Sequence, residues 1–95
     1  MEKGEALELI LRCIEQDRVI LTRHFEQRMI QRGMFWGDLL VIIEQPSSAK
    51  RDGMDELGRE RWLIAGRTFQ GLPAELLCAI DIADPFTFMV TIYWE

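Results

Sequence analysis

The sequence is poor in the residues on which metal and redox chemistry rests, with one His, two Cys and one Tyr in 95 residues. Cys13 and Cys78 stand far apart and no Cys-x-x-Cys pair occurs, which argues against a structural zinc site and leaves both as small buried apolar residues. No apolar run is longer than five residues, as in Leu39-Leu40-Val41-Ile42-Ile43, whereas a membrane helix needs ~18. The start, Met1-Glu2-Lys3-Gly4-Glu5, carries acids where a secretory leader would be basic. These absences predict a cytoplasmic chain with no membrane partner. A glycine-rich phosphate loop, a metal-ligand set and a paired-carboxylate motif are also missing, so no cofactor and no larger enzyme class is expected.

What is present suits one soluble domain spanning 1–95. A chain of this size buries roughly 65% of its extended surface, enough for one modest core. Hydrophobic residues make up 48% and charged residues 28% of the chain, a globular composition. The 16 acids outnumber the 11 Lys plus Arg, for a net charge of −5, which counts against nucleic acid as a partner. The distribution tells another story. Arg12, Arg18, Arg23, Arg28, Arg32 and the single His fall between positions 12 and 32, against Glu15, Asp17 and Glu26.

Residues 2–16 place Leu7, Ile10, Leu11 and Ile14 at helical spacing, and Asp17-Arg18 breaks the pattern. Val19-Ile20-Leu21 reads as an apolar connector. Thr22 suits the N-cap of a second helix through Arg32, with Gly33 at the left-handed position after it. A third helix over about 37–45 ends before Pro46, although Val41-Ile42-Ile43 also suits a strand. Strands are then expected at Ser47–Arg51, Glu60–Gly66, Glu75–Ile82 and Phe86–Trp94, joined by turns at Asp52-Gly53 to Gly58, Gly71-Leu72-Pro73 and Asp84-Pro85. Alternation in the last strand predicts a core face of Phe86, Phe88, Val90, Ile92 and Trp94, opposite Thr87, Met89, Thr91 and Tyr93. The expected fold is α+β: two or three N-terminal helices packed on a three- or four-stranded antiparallel sheet.

The second helix holds the chemistry. His24, Gln27, Arg28, Gln31 and Arg32 fall within an arc of roughly 140° that contains no acid, opposite Phe25, Met29 and Ile30. Arg23 and His24 occupy the first turn, where the helix dipole disfavours cations by ~0.3–1 kcal/mol each. An anion would offset that cost, and an imidazole beside guanidiniums provides the groups needed to cleave RNA through its 2′-hydroxyl. The same residues also fit a solvated surface helix. Phe35 and Trp36, with Met34, Trp62, Met89 and Trp94, supply anchors for a different role, a non-enzymatic interaction module or homo-oligomer.

The ordered set His24-x3-Arg28-Met29-x2-Arg32-Gly33-Met34, Asp38-Leu39, Pro46, Arg61-Trp62-Leu63-Ile64-Ala65-Gly66 and Val90-Thr91-Ile92-Tyr93 resembles a small bacterial domain family of unknown function. That family is similar to RelE/ParE-type toxins in its layout. The resemblance covers about residues 20–94 and implies a RelE-like fold, an RNase-like or ribosome-directed toxin activity and an antitoxin partner. Its polar positions fall on His24, Arg28, Arg32, Arg61, Thr91 and Tyr93, of which His24, Arg28 and Tyr93 are expected to be catalytic and Arg32, Arg61 and Thr91 to bind an anion or RNA, with no metal. Two departures stand out. Phe35-Trp36 replaces the polar residue that would cap the third helix, and the acidic balance is unusual for a protein directed at RNA.

Overall fold

The computed structural model describes residues 1–95. Three helices, α1 (Lys3–Glu15), α2 (Arg23–Gln31) and α3 (Trp36–Glu44), accompany five strands, β1 (Val19–Leu21), β2 (Ser48–Met54), β3 (Glu60–Arg67), β4 (Pro73–Asp81) and β5 (Phe86–Trp94). The sheet order is β1-β5-β4-β3-β2. Neighbours from β2 to β5 are antiparallel, while β1 runs parallel to β5 with Ile20 opposite Phe88. The α+β class is as expected. The sheet, however, has five strands and is mixed, and β1 interrupts the helices. The segment Val19–Leu21 was too short to carry a strand signal, and its partner lies almost seventy residues downstream.

Local chemistry ends the helices where the sequence places the breaks. Asp17 takes the left-handed conformation after α1, and the Arg18 amide closes on Cys13 O at 2.7 Å. Gly33 does the same after α2, with the Met34 amide on Met29 O at 2.9 Å. The Thr22 hydroxyl accepts from the Phe25 amide, as an N-cap should. α3, which lacks a polar N-cap, draws on Asp38 in its first turn. One carboxylate oxygen of that buried side chain accepts from the Phe35 amide at 3.1 Å, the other from the Phe69 amide at 2.9 Å.

One face of the sheet carries Trp62 and Ile64 of β3, Leu76, Cys78 and Ile80 of β4, and Met89 and Ile92 of β5 into a single core with Ile10, Phe25, Leu39, Ile42 and Ile43 of the helices. At Gly66 the sheet lets α3 approach closely: a Cβ there would lie 3.3 Å from the Ile42 Cα. Both cysteines are free and buried, and burial pushes the Cys78 thiol up to about 12. The core face of β5 differs from the alternation read in the sequence. Thr87 and Met89 are fully buried on one side of a register shift and Ile92 on the other, while Phe86, Phe88 and Val90 are only half-buried. Leu77 pairs with Thr91 and Cys78 with Met89, so Val90 is the extra residue of a bulge. A bulge moves the alternation by one, and the strict period therefore assigns the first half of β5 to the wrong face.

That bulge lies where β1 ends. Beyond it the free edge of β5 is covered by α2 instead of a strand. The Thr22 amide donates to Met89 O at 3.1 Å, the Thr22 hydroxyl to Val90 O at 3.2 Å, and Arg32 Nη1 to Ile92 O at 2.7 Å. These bonds satisfy carbonyls that would otherwise form an open sheet edge.

Candidate functional site

Because α2 lies along the β5 edge, its polar arc faces the part of β5 that follows the bulge. His24 Nε2 is 3.2 Å from Thr91 Oγ1, and Arg28 Nε donates to the same nitrogen at 3.5 Å. An Arg Nε–H can only donate, so the contact fits the tautomer in which Nε2 carries the lone pair. Arg28 Nη1 also donates to Gln31 Oε1 at 3.3 Å, which holds the guanidinium along the helix. His24 is exposed and Arg28 half-buried, so the imidazole and part of the guanidinium are within reach of a ligand from solvent.

The ion pairs of side chains are elsewhere: Arg18 with Asp84, Arg51 with Glu60, Arg59 with Asp55 and Arg61 with Asp52. Arg23, Arg28 and Arg32 form none, although acids exceed bases in the chain. Arg32 spends one N–H on Ile92 O and thereby ties α2 to β5, but its charge stays uncompensated. The cationic arc read from the sequence is therefore a face of unpaired guanidiniums with one imidazole among them.

The other expected residues are distributed differently. Tyr93 follows Thr91 on the same face, but its hydroxyl donates to Glu75, its cross-strand partner on β4. That hydrogen bond, then burial, then the neighbouring carboxylates raise its pKa to about 12. Arg61 lies two strands away from β5, opposite Ala79, and pairs with Asp52 at 2.9 Å. It lines a pocket of about 260 Å³ with Asp55, Arg59, Leu77, Ala79 and Val90, which includes neither His24 nor Thr91. The structure thus brings together His24, Arg28 and Thr91, places Arg32 beneath them as a tether, and leaves Tyr93 and Arg61 in separate polar contacts.

Two groups on this face were not singled out from the sequence. In the sequence Glu75 is only the start of a strand, and its pairing with Tyr93 depends on a register fixed by the fold. Asp55 and Arg59 sit in the β2–β3 turn. Asp55 accepts from the Leu57 and Arg59 amides, both at 2.9 Å, and from the Arg59 side chain. Burial pushes its carboxyl up, but the Arg59 and Leu57 hydrogen bonds outweigh that and hold it below the ordinary value. The Arg59 guanidinium lies over the Phe88 ring, 4.2 Å from its centroid. An Asp four residues before an Arg, with Gly58 between, was the available signal. No three His, Cys, Asp or Glu side chains converge in a way that could hold a metal ion.

No family model, curated protein or solved structure matches the chain.

Proposed function

We propose that the α2–β5 face binds a phosphodiester of single-stranded RNA and that the chain is a divergent RelE-like, toxin-like domain, a metal-independent ribonuclease. The observation that carries this reading is that the arginines of α2 and its C-cap, Arg23, Arg28 and Arg32, form no ion pair in an otherwise acidic protein, with Arg28 against the His24 imidazole. Guanidiniums recognise phosphate through paired N–H donors, and their charge stabilises a phosphorane more than the ground-state diester. The antiparallel run β2–β5, with its last strand beside the His-bearing helix, supports the reading, although β1 between α1 and α2 lies outside the expected layout.

In the reaction His24 Nε2 takes the proton of a ribose 2′-hydroxyl, and the 2′-oxygen forms a bond to phosphorus. The bond from phosphorus to the 5′-oxygen breaks, and the imidazolium proton passes to that departing oxygen directly or through one water. The products are a 2′,3′-cyclic phosphate and a free 5′-hydroxyl. On binding, Arg28 Nε turns from the imidazole to the phosphoryl oxygens and neutralises them, and the 2′-hydroxyl replaces both Arg28 and Thr91 Oγ1 at Nε2. An antitoxin for such a domain would be a protein that covers this face.

The test is cleavage of single-stranded RNA by the purified chain in the presence of a chelator. Wild type should produce cyclic-phosphate ends, and His24→Ala should cut at least ~100-fold more slowly, the usual contribution of a general base. Arg28→Ala should weaken cleavage as well, with circular dichroism showing both variants folded. Cleavage unchanged in His24→Ala, or none from wild type on any RNA, would sink the proposal.

A further inference from the structure

The end of the molecule beyond the α2 site carries large apolar side chains that the chain covers only in part. Asp38 draws the start of α3 and the β3–β4 turn together by accepting from the Phe35 and Phe69 amides, so these two residues flank a single carboxylate. Their side chains are 58% and 76% exposed. Trp36, the first residue of α3, is 37% exposed, and Leu72, which closes the turn onto Thr68, is 48% exposed. Trp94, at 39%, pairs with Ala74 in the register, and the Glu95 amide donates to Pro73 O, which places both beside Leu72. Three separate elements thus deliver aromatic and leucine side chains to one end of the sheet.

We infer that this surface, formed by Phe35, Trp36, Phe69, Leu72 and Trp94, is the interface of a homodimer, with a second copy of the chain as its occupant. With ~150–250 Å² available on each aromatic side chain, the exposed fractions amount to about 500 Å² of apolar area. That matches the largest patches found on monomers, about 300–600 Å², which are often functional. Two copies meeting face to face by a two-fold axis would bury about 1,000 Å² from these side chains alone, the lower bound for a biological interface, and the polar rim around them adds to that area. The rim suits a symmetric contact because it carries both signs, with Arg67 and Glu95 on either side of Pro73. The surface is distinct from the proposed RNA chemistry, because the hydrogen bonds of His24 and Arg28 go to Thr91, Gln31 and each other and to none of its residues.

Sedimentation equilibrium of the full chain over a wide concentration range tests the inference. The mass should rise from 11.1 kDa toward twice that value. Phe35→Asp/Phe69→Asp should shift the association constant at least tenfold toward monomer while keeping the far-ultraviolet circular dichroism spectrum. If that pair fails to fold, Phe69→Ser alone, at the more exposed position in the turn, provides the same comparison. Leu57→Asp, an exposed apolar residue in the β2–β3 turn, should leave association unchanged. A wild-type chain that stays at 11.1 kDa throughout, a dimer indifferent to the Phe35 and Phe69 changes, or one disrupted as strongly by Leu57→Asp would overturn it.

Discussion

Tyr93 shows how a single contact sets a protonation state on this face. Its hydroxyl donates to Glu75, and deprotonation would leave a phenolate against a carboxylate, so the pKa rises to about 12 from an ordinary value of 10.0. The sign of the linkage follows from this: the contact stabilises the fold fully below pH 10 and is lost as pH climbs through about 12. Glu75→Gln removes the charged acceptor. The phenolate transition, followed by ultraviolet absorbance, should therefore move down toward 10 in that variant, and a midpoint left near 12 would mean that burial, not Glu75, sets it. Residue types singled out His24 and Arg28, the resemblance added Thr91, and these three meet. The resemblance equally pointed to Tyr93 and Arg61, which the fold brings to Glu75 and Asp52. A side chain's chemistry is legible in a sequence, but its cross-strand partner depends on register, which a one-residue bulge can shift.

At the level of elements, what was legible was local. Thr22 as a cap, Gly33 in the left-handed conformation and the stop before Pro46 each follow from interactions within a few residues, and each is present. β1 and the β5 bulge were not legible because both are fixed by partners far along the chain. The close approach of α3 to β3 belongs to the same class, since nothing near Gly66 in the sequence announces Ile42. An added Cβ there meets backbone as well as side chain, at 3.3 Å from Cα and 3.4 Å from both O and Cγ2 of Ile42. Gly66→Ala should thus cost about 1–3 kcal/mol through overpacking, a fall in melting temperature of roughly 4–8 °C per kcal/mol for a domain of this size. Gly4→Ala, in α1 with nothing within 4 Å of the new methyl, should instead stabilise by about 0.4–1 kcal/mol. Thermal denaturation of the two variants side by side separates crowding at the α3–β3 contact from the general effect of replacing glycine. A Gly66→Ala variant as stable as wild type would show that α3 can move away without loss.

For the whole molecule, the decisive quantity is how a net charge of −5 is arranged. The excess of acids repels RNA and a second copy alike, but the two proposed contacts meet that field differently. At the α2–β5 face the local charge is positive, and binding a phosphate chain there releases its counterions. With Arg23, Arg28 and Arg32 each neutralising a phosphate, the logarithm of the RNA association constant should fall with the logarithm of salt at a slope of about −2, given about −0.7 per contact for a single strand. At the aromatic end the attraction is apolar and little affected by simple salt, while the repulsion between two acidic copies is screened once the Debye length drops to ~8 Å near physiological ionic strength. Dimerisation should therefore strengthen as salt is raised over the range in which RNA binding weakens. Fluorescence anisotropy of a labelled oligonucleotide and sedimentation of the free protein, measured across one salt series, read both trends. Parallel slopes of either sign would mean that one surface serves both contacts, and opposite slopes that the cationic edge and the aromatic end act separately.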